Sequence, residues 1–177
     1  MNSSANSNSV AHPSGQAILQ ALKQGAIEFI VSVPDIVTSD GLLWPIAGDS
    51  DFRLLRVCKE DEGVSICGAM SYNNTRAILL MQQTGLMDSL NAIRAIGIDY
   101  QLPICMMVGL QGKEPELKSA ESSSYGVRII EPVLEAMQIP FRVIEEPGDV
   151  RHIAPDIEQA YSSSSTFVFI IARPPTP

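Results

Sequence analysis

Histidine and cysteine are scarce. The 177 residues include two His and three Cys. His12 and His152 lie near opposite ends, and Cys58, Cys67 and Cys105 are far apart with no CxxC pair. That argues against a zinc site and against a disulfide framework. A Ser-His-Asp triad would have to draw on one of two histidines, neither in a suggestive context. Three unpaired thiols suit a reducing compartment, so the expected location is cytoplasmic. Apolar runs never reach the ~18 residues of a membrane-crossing helix. The start, MNSSANSNSVAHPSG, has neither the basic nor the apolar region of a signal peptide. No membrane association is expected. Positive charge is sparse too: 12 Lys and Arg face 20 Asp and Glu, for a net charge of −8. The cations are scattered and form no basic stripe, so nucleic acid is not an expected partner. The usual dinucleotide and triphosphate loops, GxGxxG and GxxxxGK[ST], are missing, as is a GxSxG elbow.

What is present describes an ordinary globular chain, 45% hydrophobic and 18% charged, long enough for one domain with a full core. The modest charge and seven methionines hint at a surface covered by a partner. Residues 1–12 read as a disordered polar tail, and residues 13–177 as one domain. Ser14 is placed to cap a helix that stops at Gly25. Strands are expected over 28–33, 53–58, 77–81, 103–109, 141–144 and 166–172. Between them, helical spacing predicts a short helix through Trp44 capped by Ser39 or Asp40. Further helices are predicted over 60–72, through Leu86, Leu90, Ile93 and Ile96, over 127–137 and over 149–161. The strands are continuous apolar runs, as when both faces are covered. The fold class that follows is α/β: one doubly wound, mostly parallel, flavodoxin-like sheet of about six strands.

The stretch from Lys59 to Asn91 organises this chain. Glu60 and Glu62 open a helix whose small residues, Gly63, Ser65, Cys67, Gly68 and Ala69, suit close approach of another backbone or a ligand. A polar loop, Gln82 to Gly85, follows the next strand. An acid at one helix entrance and a loop after the neighbouring strand can meet at the edge where open α/β sheets bind ligands. Acids in a first helical turn also complement the helix dipole, with no function implied.

Gly48-Asp49-Ser50 followed by Asn73-Asn74 looks like the magnesium–diphosphate motif of thiamine diphosphate enzymes. The spacer over residues 51–72 is short for that motif, no strand leads into Gly48, and the spacer contains Glu60. Turn and helix-end residues explain the pattern better, so no metal ligands are assigned to this chain.

KEDEGVSICGAM, RAILLMQQTGL and NAIR together resemble the α subunit of sulfopyruvate decarboxylase and the N-terminal part of phosphonopyruvate decarboxylase. Both are thiamine diphosphate-dependent 2-oxo acid decarboxylases. The resemblance covers residues 14–172. It implies a pyrimidine-binding domain in which a glutamate hydrogen-bonds N1′ of the cofactor's aminopyrimidine. That position falls on Glu60, with Glu62 in reserve. An acid can share a proton there, whereas a glutamine can only hydrogen-bond. Gln83, Thr84 and Gly85 match the family's Asn-Ser-Gly loop and are expected near the cofactor. Asp35, after the Val33-Pro34 turn, is a candidate proton relay or a loop cap. Gln111, Lys113, Ser122 and Ser123 stand where relatives carry substrate-binding Arg and His. These departures weaken a claim for a sulfonate or phosphonate substrate.

The family also implies a separate β subunit that carries the diphosphate and Mg2+ half, in an α2β2 or larger hetero-oligomer acting on a small 2-oxo acid. Two alternatives stay open: a carboligase on the same half-site, and a non-catalytic flavodoxin-like binding or regulatory module.

Overall fold

A computed structural model describes residues 11–177. The expected polar tail lies outside the described residues except at its end, where the His12 ring meets the Pro174 carbonyl at 2.9 Å. Six parallel strands form one sheet in the order β2-β1-β3-β4-β6-β5. They are β1 (Phe29–Ser32), β2 (Arg53–Arg56), β3 (Ala77–Gln82), β4 (Cys105–Gly109), β5 (Phe141–Ile144) and β6 (Phe167–Ile171). After β2 the chain returns to the far side of β1. The strand order therefore reverses beside β1, and the carboxyl ends of β1, β2 and β3 converge there.

Both faces of the central strands are apolar. Ile78, Leu80 and Met107 point into one core, with α1 (Gly15–Gln24) and α8 (Ile153–Ser162) packed on it through Ile18, Leu22, Ile153 and Ile157. Leu79, Met81, Met106 and Val108 point into the other. That core is closed by α3 (Glu60–Tyr72) and α4 (Gln83–Asp88), and by α6 (Tyr125–Arg128) and α7 (Ile130–Ala136). Period-2 pleating with apolar residues on both sides produces the unbroken runs seen in the sequence. Each fully buried aliphatic side chain adds about 1.5–3 kcal/mol. The outer strand β2 is only half-buried.

Local sequence explains most boundaries. Ser14 Oγ accepts from the Ala17 amide, and Gly25 ends α1, as expected. Three helices differ from expectation. The turn after β1 is capped by Asp35, not by Ser39 or Asp40. It widens over Ser39–Leu43 and runs into α2 (Trp44–Ala47), with Pro45 in the first turn. The helix after β3 breaks at Ser89, whose backbone (φ −96°, ψ 1°) leaves helical values. It continues as α5 (Leu90–Ala92) and a wider-turned segment, Ile93–Ile98. The helix expected over 127–137 begins at Tyr125 and breaks at Ile129. Pro132 there has no N–H for the carbonyl one turn back.

The small residues of α3 face two ways. A methyl on Gly63 would lie 2.6 Å from Leu79, and one on Gly68 2.5 Å from Ile96. Those two glycines let the helix settle on its own sheet and on the following helix, while Ser65 and Ala69 are exposed. Gly48–Ser50 and Asn73–Asn74 both precede strands, so they sit at the amino edge of the sheet. Asp49 is held there by Lys23 at 2.7 Å, which keeps its carboxyl below the usual range. Asn73 bonds back to Ala69. Among the described residues no helix is long and apolar enough to cross a membrane.

Candidate active site

The site is built on the carboxyl edge, where β1, β2 and β3 end. Glu60 is the first residue of α3, four residues past the end of β2. Gly85 is the third residue of α4, directly after β3. The two touch. A methyl on Gly85 would fall 2.3 Å from both Cγ and Oε1 of Glu60. The missing Cβ is thus filled by the Glu60 side chain, which lies over the start of α4.

The structure separates the two candidate glutamates. Glu62 is exposed, and its carboxylate accepts from the Cys58 amide at 3.2 Å, so it caps its own helix. Lys59 reaches Asp61 (3.6 Å) and Asp88 (3.8 Å). Among the described residues, the polar contacts at this helix start go to Glu62, Asp61 and Asp88, and none to the half-buried Glu60 carboxylate. Glu60 is thus an acid held by packing at the topological switch point, where open α/β sheets bind ligands, with its oxygens free of protein partners among the described residues.

Asp35 also reaches this edge. It is 6% exposed. Its Oδ1 accepts from the amides of Val37 (2.7 Å) and Thr38 (3.0 Å), and Oδ2 accepts from the Thr38 hydroxyl. Of the two roles open to Asp35, this is the capping geometry. A proton relay would require one of those bonds to open. Gly109, at the end of β4, leaves room for Asp35 and Val37.

The polar loop divides in two. Thr84 is exposed, its Oγ1 3.2 Å from Gln82 Nε2. Gln83 is buried, and its amide pairs with the backbone of Gln111. The three other residues expected near substrate sit in the long segment after β4, tied to other groups. The Lys113 side chain is 1% exposed and ion-paired to Glu145 at 2.7 Å. Ser122 Oγ donates to Glu114 at 2.6 Å. The Ser123 amide donates to the same carboxylate at 3.0 Å, as does its hydroxyl. These bonds hold the Glu114 carboxyl down to about 2. Arg128 Nη1 binds the carbonyls of Ser122 and Ser123. Arg173 reaches Glu145 at 3.2 Å and the Pro115 carbonyl at 3.0 Å. Sequence reasoning missed Glu114, Arg128, Glu145 and Arg173. The only local signal was a pair of acids, Glu145-Glu146, at the carboxyl end of a strand.

A cleft of about 440 Å³ lies at the opposite, amino edge, lined by Ser71, Arg76 and Tyr161. Its groups satisfy one another: Arg76 pairs with Glu158 at 2.7 Å, and the Tyr161 hydroxyl with the Ala77 backbone. Nothing there resembles the unpaired carboxylate at Glu60.

The fold is an α/β domain with a counterpart among solved structures. The chain superposes on the crystal structure of benzoylformate decarboxylase from Polynucleobacter necessarius with a TM-score of 0.66 at 12% identity, over 91% of its own length. It spans 30% of that longer chain. Sequence relatives are more specific. Sulfopyruvate decarboxylase subunit alpha of Methanocaldococcus jannaschii is 31% identical over 124 residues, 70% of this chain and 72% of the relative. The subunit of the same description from Methanothermobacter thermautotrophicus is 29% identical over 138 residues, 78% of this chain and 82% of the relative. No protein-family model matches the sequence. The chain belongs to the sulfopyruvate decarboxylase subunit alpha family.

Proposed function

We propose that this chain is the pyrimidine-domain subunit of a two-chain, thiamine diphosphate-dependent decarboxylase of small 2-oxo acids. The observation that carries this reading is the Glu60 carboxylate, seated on Gly85 at the switch point without a protein donor. The family membership supports the reaction class, and the relatives' description as subunits supports a second chain.

The residues present fit the aminopyrimidine half of the cofactor. Glu60 would hold a proton at N1′, which an acid can share and an amide cannot. Gly85, having no side chain, leaves the place that the Glu60 carboxylate takes over the start of α4. Thr84, exposed beside it, offers a hydroxyl. Thiamine diphosphate would supply the electron-accepting ring on which a 2-oxo acid loses carbon dioxide. The diphosphate and its Mg2+ would be held by a β subunit, which places the reaction at an interface in an α2β2 or larger assembly. Asp35 would shape the floor of the site by fixing the turn after β1. Lys113 and Arg173 are tied to Glu145, so free cations for an anionic substrate tail would come in part from the partner.

The test is co-expression with the β chain, followed by a screen of 2-oxo acids for released carbon dioxide. The complex should turn over at least one such acid, and the purified α chain none. Turnover by the α chain alone would overturn the split site. A complex inert towards every 2-oxo acid would overturn the function. Product analysis with an added aldehyde separates simple decarboxylation from carboligation.

A further inference from the structure

The segment from residue 110 to residue 124, after β4, has the length of a mobile lid but not the bonding of one. On one side it is fastened to the β5–β6 edge, through Lys113 to Glu145 and through Arg173 to the Pro115 carbonyl. Its far end is closed on itself, through Glu114 to Ser122 and Ser123. On the other side it meets Gln83. That residue is 5% exposed and opens α4, two residues before Gly85. Gln83 Nε2 donates to the Gln111 carbonyl at 2.8 Å, and Gln83 Oε1 accepts from the Gln111 amide at 2.9 Å. One side-chain amide thus satisfies both backbone groups of one residue. The β3–β4 pairing ends at Gln82 and Gly109. The Gln83–Gln111 pair adds one more rung, made by a side chain, beyond the last backbone rung.

We propose that Gln83 is a positioning residue: it fixes the 110–124 segment at a set distance from the Glu60–Gly85 pair and so forms one wall of the substrate site. This deepens the proposed function and rests on it. Gln83 itself acts through Gln111 and is not a cofactor ligand. Both of its polar atoms are engaged, and a buried amide with both partners in place gains nothing by turning to a ligand. Unlike the other fastenings of the segment, this one lies on the α4 side. Removing it would free the segment relative to Glu60 while leaving it attached to β5 and β6.

The experiment uses Gln83→Met, which keeps the length and loses both bonds. It is measured by hydrogen exchange on the full chain and by kinetics of the αβ complex. Loss of two hydrogen bonds should speed exchange of the 110–124 amides by roughly 30-fold. KM for the 2-oxo acid should rise by roughly 10-fold with kcat changed far less, as expected when a wall that holds substrate and transition state alike is loosened. Affinity for thiamine diphosphate should not change. Gln83→Asn, one methylene too short to span the gap, should give the same exchange result in a polar background if the Met variant folds poorly. Unchanged loop exchange in both variants would overturn the proposal. So would weakened cofactor affinity with the loop still protected. Exchange is read on this chain without turnover, so an inert complex would count against the proposed function and leave the Gln83–Gln111 clamp to be judged separately.

Discussion

Gly85→Ala separates the stability of this domain from its chemistry. A methyl at Gly85 would lie 2.3 Å from Cγ and Oε1 of Glu60, where ordinary contact begins near 3.4 Å. Something must move by more than 1 Å, and the movable partner is the half-buried Glu60 side chain rather than backbone. Gly85 sits within α4 without a left-handed φ, so the backbone accepts alanine. Helix propensity favours alanine over glycine by about 1 kcal/mol. In a chain of this size that is worth roughly 2–4 °C in Tm. The variant should therefore melt at or slightly above the wild-type temperature. Displacing a catalytic group by ~1 Å costs on the order of 100-fold in rate. Turnover of the αβ complex should fall by about that factor while thermal melting by circular dichroism stays level. A variant with near-normal kcat would refute the claim that Glu60 acts from its place on Gly85. A Tm drop of many degrees would refute the packing description of α4.

Two further outcomes follow from the long segment after β4. Glu145→Gln leaves Lys113 and Arg173, 1% and 13% exposed, without a shared carboxylate. It should cost roughly 3 kcal/mol or more. Lys113→Met removes the buried cation itself and leaves Glu145 paired with Arg173, so it should cost less than that. Urea unfolding of the two variants checks the order, and equal losses would contradict it. The Glu114 carboxyl is held down to about 2 by Ser122 and Ser123. A depressed folded-state value means that its contribution is complete above the ordinary value near 4.5 and is lost as pH falls from there towards 2. Protection of the 110–124 amides should fade across that window, and Glu114→Gln should lack the transition.

Much of the scaffold was legible because it is local. Runs such as AILLM and CMMVG announce strands covered on both faces, and Ser14 and Gly25 bracket α1 by capping chemistry alone. Helix breaks were less legible. Leu86, Leu90, Ile93 and Ile96 keep helical spacing through Ser89, although the backbone does not. At the site, the meeting of Glu60 with the Gln82–Gly85 loop was foreseeable from strand order, since both follow strands at one edge. The partners of Gln83, Lys113 and Asp35 were not all foreseeable. Asp35 caps residues two and three positions on, a local pattern with two possible meanings. Gln83 and Gln111 are 28 residues apart, and Lys113 and Glu145 are 32 apart. No periodicity carries information over those separations. Gln83 and Lys113, which resemble ligands in the sequence, bridge strand ends in the fold.

The most direct measurement is the turnover of Glu60→Gln in the reconstituted αβ complex, with assembly followed by gel filtration. Glutamine keeps the size and the hydrogen-bonding reach but has no acidic proton to share. The complex should assemble as wild type and release carbon dioxide at a rate lower by a factor on the order of 100 or more. Near-normal turnover in an intact complex would contradict the account and leave Glu60 as an ordinary first-turn acid.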